Sequence, residues 1–140
     1  MLFRSLSEVP DVATVTALDD CQSEVAVVFA ETQSAPDSSC NNTITRTWTA
    51  TDICGNVASC SQTITVIDEV GPVLTQGSIA VCYADVASAE AAAQAATGTS
   101  DNCGGVVSLS ASTVGDCSAV ITVTGTDSCG NSAKIGRAHV

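Results

Sequence analysis

The stretch 43–51 alternates strictly between two kinds of side chain. One face of an extended chain would carry Ile44, Arg46, Trp48 and Ala50, and the other face would carry five threonines. A period of two that is rich in β-branched residues is typical of a half-buried strand. The sequence Asp-Ile-Cys-Gly-Asn at 52–56 then supplies a turn, because Gly and Asn tolerate positive φ. Residues 60–67 are predicted to be the returning strand of this hairpin.

The hairpin pattern occurs a second time, 75 residues later. Residues 118–131 repeat the strand and end in Asp-Ser-Cys-Gly-Asn, and Asp19-Asp20-Cys21 returns as Asp101-Asn102-Cys103 at an offset of 82. Further strands are expected at 12–17 and 25–30. The repeat predicts an all-β fold of two tandem units, 6–69 and 70–133, that meet at an acidic linker containing Gly71 and Pro72.

One stretch breaks the β pattern. Residues 86–96 are rich in alanine, and either Asp85 or Ser88 is a candidate N-cap. Because alanine is the best helix former, a short helix is expected there.

The two ends of the chain differ in character from the rest. Residues 134–140 read as the translation of a common short-read sequencing adapter, and residues 1–5 read as the translation of its reverse complement. We therefore expect 1–5 and 134–140 to be adapter-derived and the chain to be a metagenomic fragment, so that functional reasoning is confined to about 6–133.

The charge excludes some classes of partner. The formal net charge is -11, and between Leu6 and Ala133 the only base is Arg46. Neutralising nucleic-acid phosphates needs clustered Lys and Arg, so no nucleic-acid partner is expected. No apolar run reaches about 18 residues, so no membrane insertion is expected either.

Eight cysteines are many for 140 residues. Zinc sites use CxxC pairs or nearby histidines, and this chain has no CxxC and a single histidine, His139. Disulfides in an oxidising compartment are the better interpretation, which favours a secreted or cell-surface protein.

Strand geometry limits which cysteines can meet. A strand rises about 3.3 Å per residue, and a disulfide needs Cα atoms within about 7 Å, which excludes Cys40–Cys54 and Cys117–Cys129. In an immunoglobulin-like sandwich the second and sixth strands end on the same side. The first choices are then Cys103–Cys129, Cys21–Cys54 and Cys82–Cys117. Cys40 and Cys60 are expected to have lost their partners by truncation.

Catalytic chemistry has few candidate residues between 6 and 133, where histidine is absent and lysine is absent. No catalytic or cofactor-binding residue is therefore expected. Arg46 shares a face with Trp48, and both are expected to be structural, with the guanidinium reaching a carboxylate at the rim. Calcium is the alternative to a solvated acidic surface, with Asp68 and Glu69 joined by Asp101 or Asp127.

A family resemblance rests on three stretches: TRTWTATDICGN at 45–56, CSQTITVID at 60–68, and Gly71-Pro72-Val73. These resemble the hyalin-repeat-like modules with four cysteines that are strung along very large bacterial surface proteins. The resemblance implies immunoglobulin-like sandwiches, secretion (often by the type IX route), an adhesion or stalk role, and no catalytic residues. Measured against that pattern, the first unit lacks its first strand and the second lacks its last strand after Asn131.

Three hypotheses of function follow. The leading one is a non-catalytic structural repeat, a spacer or stalk in a secreted or surface adhesin, whose partners are neighbouring repeats. The second is a binding module that recognises a surface glycan or protein. An exposed aromatic cluster would support it, and residues 6–133 offer Trp48, Tyr83 and Phe29, of which Trp48 is expected to be buried. The third is an accessory segment of a large secreted enzyme, with or without calcium stiffening.

Overall fold

The computed structural model describes residues 1–21, 24–115 and 119–138. The chain divides into two compact units, Met1–Asp68 and Glu69–Val140. The division falls one residue from the boundary expected from the sequence. Within the described residues, three β-sheets and one short α-helix build the two units, which confirms the predicted all-β class and is consistent with β-sandwich modules.

Unit 1 is built on one four-stranded sheet in the order β1-β4-β3-β2. Its strands are β1 (Leu2–Phe3), β2 (Val27–Gln33), β3 (Asn41–Thr51) and β4 (Val57–Ile67). The β2, β3 and β4 strands are antiparallel, and β1 joins the edge of β4 in parallel. The predicted hairpin of 43–51 and 60–67 is confirmed, with both strands longer than expected.

The expected strand at 12–17 is wrong for most of its length. Only Ala17 takes part in a β-bridge, with Val25, and the Val25 N–H donates to the Ala17 carbonyl oxygen at 3.2 Å. Pro10 precedes this segment and lacks an N–H, so it cannot extend a ladder. The segment therefore lies as irregular backbone across the sheet.

The core of unit 1 consists of Ile44, Ile64 and Val66, all at most 2 % exposed. Leu6 and Val9 pack against it from the N-terminal segment, where a single 3-10 turn spans Leu6–Glu8. The alternation seen in the sequence accounts for this core, because it places one side of β3 and β4 inward.

Unit 2 contains two sheets and the helix. One sheet pairs β5 (Val73–Gln76) with β6 (Thr97–Ser100), and the other has the order β7-β8-β9, formed by Ser108–Val114, Val120–Thr126 and Ser132–Ala138. Helix α1 (Val86–Ala95) confirms the helix expected at 86–96. Its N-cap is Asp85, whose Oδ1 accepts a hydrogen bond from the Ser88 N–H at 2.7 Å.

The core of unit 2 lies between α1 and the sheet. Ala89 and Ala93 of the helix form one buried cluster with Ile121 and Val123 of β8. Alanine side chains let the helix axis come close to the strand, so the small residues that favour the helix also allow its packing.

The expectation that unit 2 lacks a strand after Asn131 is wrong in the structure. Residues Ser132–Ala138 form β9, which pairs antiparallel with the full length of β8. Ile135 lies opposite Val123 and packs against the core cluster. This contact places one side chain of β9 on the inner face of the sheet. At the other end, Leu2 and Phe3 pair with Thr65 and Val66. The adapter origin of residues 1–5 and 134–140 stays a prediction, because strand pairing does not test where a sequence comes from.

Candidate functional site

Four cysteines follow an aspartate by two residues, and all four stand in the same local turn. In each case the aspartate Oδ1 accepts the hydrogen bond of the cysteine backbone N–H, an arrangement that Asp commonly makes in turns. The distances are 2.9 Å for Asp19–Cys21, 2.8 Å for Asp52–Cys54, 3.0 Å for Asp101–Cys103 and 2.8 Å for Asp127–Cys129. We call these four segments the aspartate–cysteine turns.

The turn between β3 and β4 is tied further by its asparagine. Asp52 Oδ1 also accepts from the Asn56 N–H at 2.8 Å, and Asp52 Oδ2 accepts from Asn56 Nδ2 at 2.7 Å. The Asp52 N–H donates to the Asn56 carbonyl oxygen at 3.0 Å. Gly55 has φ +86°, a conformation that glycine adopts without strain. In the Asp-x-Cys-Gly-Asn pattern, the aspartate and the asparagine thus supply the hydrogen bonds that close the turn, and the glycine supplies the positive φ.

The turn between β8 and β9 has the same geometry. Asp127 Oδ1 accepts from the Asn131 N–H at 2.8 Å, and Asp127 Oδ2 accepts from Asn131 Nδ2 at 3.0 Å. The Asp127 N–H again donates to the Asn131 carbonyl oxygen at 3.0 Å, and Gly130 has φ +90°. The repeat found at an offset of 75 in the sequence is therefore a repeat of atomic contacts.

These contacts keep both turn carboxylates ionised. The side-chain hydrogen bond from Asn56 is the main reason that the pKa of Asp52 is lowered. Desolvation would raise the pKa of Asp127, but the hydrogen bonds from Asn131 and the backbone outweigh it, and the pKa is lowered. The charged carboxylates therefore stabilise both turns more than their protonated forms would.

The structure contradicts the first-choice disulfides. Cys21 and Cys54 are both exposed thiols, so the Cys21–Cys54 bridge is not formed. Cys103 is also a thiol, whereas Cys129 is disulfide-bonded, which rules out Cys103–Cys129. The backbone of each of these cysteines is held by the aspartate two residues before it. The side chains of Cys21 and Cys54 are exposed to solvent.

The remaining cysteines also differ from expectation. Cys82 is an exposed thiol, so it forms no bridge with Cys117, which lies outside the described residues. Cys40 is disulfide-bonded, so the idea that it lost its partner is wrong. Cys60 is an exposed thiol on β4. Pairing depends on contacts between segments far apart in sequence, and the strand-end argument did not capture them.

Arg46 lies in the interior of unit 1 with a carboxylate partner. Its residue exposure is 5 %, and its Nε donates to Glu31 Oε2 at 2.8 Å. Its Nη1 donates to the carbonyl oxygens of Pro10 at 2.9 Å and of Asp11 at 3.4 Å. The hydrogen bond from Arg46 is the largest cause of the lowered pKa of Glu31. Arg46 thus attaches the irregular N-terminal segment to the sheet.

Glu31 was missed by the sequence reasoning. It lies directly opposite Arg46 in the β2–β3 pairing. The strand predicted at 25–30 ended one residue too early to include it. Had the predicted strand been extended by one residue and paired along β3, it would have placed Glu31 opposite Arg46.

Trp48 is buried, at 7 % exposure, as expected. It lies opposite Phe29 in the sheet, and the two ring centroids are 5.4 Å apart at an interplanar angle of 47°. Tyr83 belongs to unit 2, where its hydroxyl accepts from the Ala80 N–H at 2.9 Å. Within unit 1, the tryptophan ring therefore packs in the interior against Phe29.

The acidic residues named for calcium have different surroundings. Both carboxylate oxygens of Asp127 already accept hydrogen bonds within its turn, so it is a poor candidate for a cation ligand. Asp101 Oδ1 likewise accepts from Cys103. Asp68 is buried at 5 % exposure and Glu69 is exposed. Calcium binding stays a prediction.

Taken together, the two units are small all-β modules whose hairpins end in aspartate–cysteine turns. Residues 4–66 match the family model described as an HYR-like domain with 4 cysteines. Cys21, Cys40, Cys54 and Cys60 all fall within this range. This match covers nearly all of unit 1 and agrees with the hyalin-repeat resemblance of the sequence.

The HYR-like family is a non-enzymatic type of domain found outside the cell. No curated protein matches the chain. Within the described residues, no helix has both the length and the apolar character needed to cross a membrane.

Proposed function

We propose that this chain is a non-catalytic structural repeat, a spacer or stalk within a large secreted or cell-surface bacterial protein. The observation that carries the proposal is the hairpin with an aspartate–cysteine turn, built twice with the same contacts at an offset of 75 residues. Repetition of one module lengthens a chain by equal increments, and each module contacts mainly its neighbours. The partners are the adjoining repeats, and export by the type IX route fits the family.

The ionisation of the carboxylates supports a non-catalytic role. Among the residues that the structure describes, the carboxyl groups whose pKa departs from the ordinary value are Glu31, Asp52, Asp85 and Asp127, and in all four the pKa is lowered. A general acid needs a raised pKa so that it holds a proton near neutral pH. These four carboxylates instead accept hydrogen bonds that fix turns, a helix cap and an ion pair.

The arrangement of aromatic residues favours a spacer over a glycan-binding module. Trp48 is buried against Phe29, and Tyr83 is engaged with backbone in the other unit. Protein surfaces that recognise partners commonly present exposed aromatic anchors. An adhesive role for the chain would then depend on the array that holds it rather than on a pocket of its own.

Force spectroscopy on the full chain tests the spacer role. The chain is held by handles at both ends in reductant, so that disulfides do not shorten the extension. Two separate unfolding events are expected, and the 68 residues of unit 1 would release roughly 240 Å at about 3.5 Å per residue.

A glycan array probed with the same protein is the counter-test. Saturable glycan binding, together with unfolding at no measurable force, would overturn the spacer proposal and favour the binding module.

A further inference from the structure

Basic side chains are scarce in this chain and lie almost entirely at its ends. Of the four, Arg4, Lys134 and Arg137 fall within the stretches that we expect to be adapter-derived, which leaves Arg46 as the single base of 6–133. Trypsin-like proteases hydrolyse the bond after Lys or Arg, because their specificity pocket holds the cation against an aspartate. Residues 6–133 therefore offer such a protease one bond, Arg46–Thr47.

The loops, where proteases normally cut, carry aspartate but no lysine or arginine. Exposed loop tips are the preferred sites of nicking, because their backbone is accessible. The connections 34–40, 52–56, 77–85 and 101–107 each contain an aspartate and lack a base. A Lys/Arg-specific protease therefore finds no cleavable bond in these loops and is left with Arg46.

The backbone at Arg46 is closed on both sides by strand pairing. In the order β1-β4-β3-β2, β3 is an interior strand, and Arg46 pairs with Glu31 of β2 and with Gln62 of β4. A protease binds its substrate as a single extended strand, so β3 must leave both neighbours before the Arg46–Thr47 bond can enter an active site. The bond is therefore closed while the sheet is intact.

The side chain of Arg46 is closed as well. Its exposure is 5 %, its Nε donates to Glu31 Oε2 at 2.8 Å, and its Nη1 donates to the Pro10 carbonyl oxygen at 2.9 Å. A specificity pocket must take up the whole guanidinium, so these hydrogen bonds have to break first. Because the partners lie on β2 and on the N-terminal segment, releasing Arg46 needs the loss of contacts across unit 1 rather than fraying of one element.

We propose that the fold shields residues 6–133 from Lys/Arg-specific proteases, so that the Arg46–Thr47 bond is hydrolysed only after unit 1 unfolds. Hydrolysis adds water to that amide and leaves a carboxylate on Arg46 and an amino group on Thr47. The protection has two parts: exposed backbone lacks basic residues, and the one remaining base is buried in a paired strand. It goes beyond a spacer role, because it sets how the chain withstands one class of protease outside the cell.

The test follows cleavage of the full chain by trypsin with mass spectrometry. A synthetic peptide of residues 41–51, Asn-Asn-Thr-Ile-Thr-Arg-Thr-Trp-Thr-Ala-Thr, contains the same bond in an open chain and gives its intrinsic rate. In the folded chain the Arg46–Thr47 bond should be cut at least about a thousandfold more slowly than in the peptide, because only the unfolded fraction can be cut.

Urea distinguishes cutting after unfolding from direct cutting of the folded sheet. Trp48 is the only tryptophan of the chain, so its fluorescence gives the unfolded fraction of unit 1, and the peptide corrects for the effect of urea on trypsin. The rate at Arg46–Thr47, relative to the peptide, should rise in proportion to the unfolded fraction. A relative rate that stays constant as unit 1 unfolds, or a folded-chain rate equal to that of the peptide, would overturn the proposal.

Two variants with a second arginine form a matched pair. Thr14→Arg places it on exposed irregular backbone, and Thr49→Arg places it within β3. After Trp48 fluorescence has shown the wild-type urea midpoint for both, T14R should be cut at its new site within about tenfold of the peptide rate, since mobile segments open at a cost near zero. T49R should resist at its new site as the wild type does at Arg46. Equal rates at the two new sites would contradict protection by the fold, whereas the force-spectroscopy result of the spacer proposal does not depend on either outcome.

Discussion

The two units cover the same face of equivalent strands in different ways. In unit 2 the inward residues Ile121 and Val123 of β8 pack against Ala89 and Ala93 of helix α1. In unit 1 the residue equivalent to Ile121 is Arg46, and an irregular segment carrying Pro10 and Asp11 lies over it. One module type thus covers its core with a helix in one copy and with an irregular chain in the other.

The hydrogen-bonding needs of the covering backbone explain the difference. A helix satisfies most of its own carbonyl groups, so the strand beneath it needs only apolar side chains. Irregular backbone leaves carbonyl groups that require donors, and Arg46 donates to two of them while Glu31 balances its charge. The choice between arginine and isoleucine on the strand therefore follows from the conformation of the segment above it.

The covering sequences account for their own conformations. The unit 2 segment has alanine at most positions and an aspartate N-cap. The unit 1 segment has Pro10 in its middle, followed by Val12, Thr14 and Val15. Proline disrupts a helix interior, and β-branched residues disfavour it further.

The largest expected effect comes from placing the arginine under the helix. Ile121→Arg buries a charge where Ala89 and Ala93 offer no acceptor, and we expect unit 2 to lose more than about 4 kcal/mol. Hydrogen exchange followed by mass spectrometry should show loss of protection in β8, with β3 still protected. Retained protection in β8 would show that the helix can accommodate the charge and would break the comparison.

The reverse exchange should cost less. Arg46→Ile keeps apolar volume but leaves Glu31 and two carbonyl groups without their donor, so unit 1 should lose about 3 kcal/mol. Trp48 is the only tryptophan of the chain, so its fluorescence during urea unfolding reports unit 1. Lys134→Ile, at an exposed strand position, is the control and should leave the midpoint unchanged. An unchanged midpoint in Arg46→Ile would mean that the ion pair is dispensable.

Acid should weaken unit 1 through Glu31. Its folded-state pKa is lowered below the ordinary 4.5, so the stabilisation is fully present above that value and is lost as the pH falls through the folded pKa. The Trp48 unfolding midpoint should therefore decrease below about pH 4.5, and Arg46→Ile should show a shallower decrease. Parallel pH profiles for wild type and variant would contradict the assignment.

The smallest effects should come from the turn carboxylates. Asp127→Asn and Asp52→Asn keep an acceptor oxygen but remove the charge, so each should lower the thermal midpoint less than either exchange above. The effect should be larger at Asp127, which is 7 % exposed, than at the more exposed Asp52. Scanning calorimetry of the two variants decides the order. An equal shift would mean that burial does not strengthen the turn.

Local periodicity predicted the parts of the fold that depend on local contacts. It identified the hairpin strands at 43–51 and 60–67, the helix near 86–96 with Asp85 as one of two candidate caps, and the burial of Trp48, because each follows from the residues of a single element. It failed for the disulfides and for β9. Disulfides depend on contacts between distant segments, and β9 depends on the cross-strand fit of Ile135 to Val123.

The candidate site was predicted in part for the same reason. The aspartate–cysteine turns were evident as a spacing, but their hydrogen bonds were not foreseen. Glu31 escaped notice because β2 is exposed along most of its length, so its sequence lacks the alternation that identified β3.

The aspartate–cysteine turns hold their shape through oxygen and nitrogen atoms alone. Every contact that fixes Asp52 to Asn56, or Asp127 to Asn131, forms without sulfur. Reducing the chain therefore leaves the folded turns in place, and the main change is the greater freedom gained by the unfolded chain. In this module the oxidation state of the cysteines affects how readily the chain unfolds, whereas the aspartate carboxylates determine the shape of the turns in the folded state.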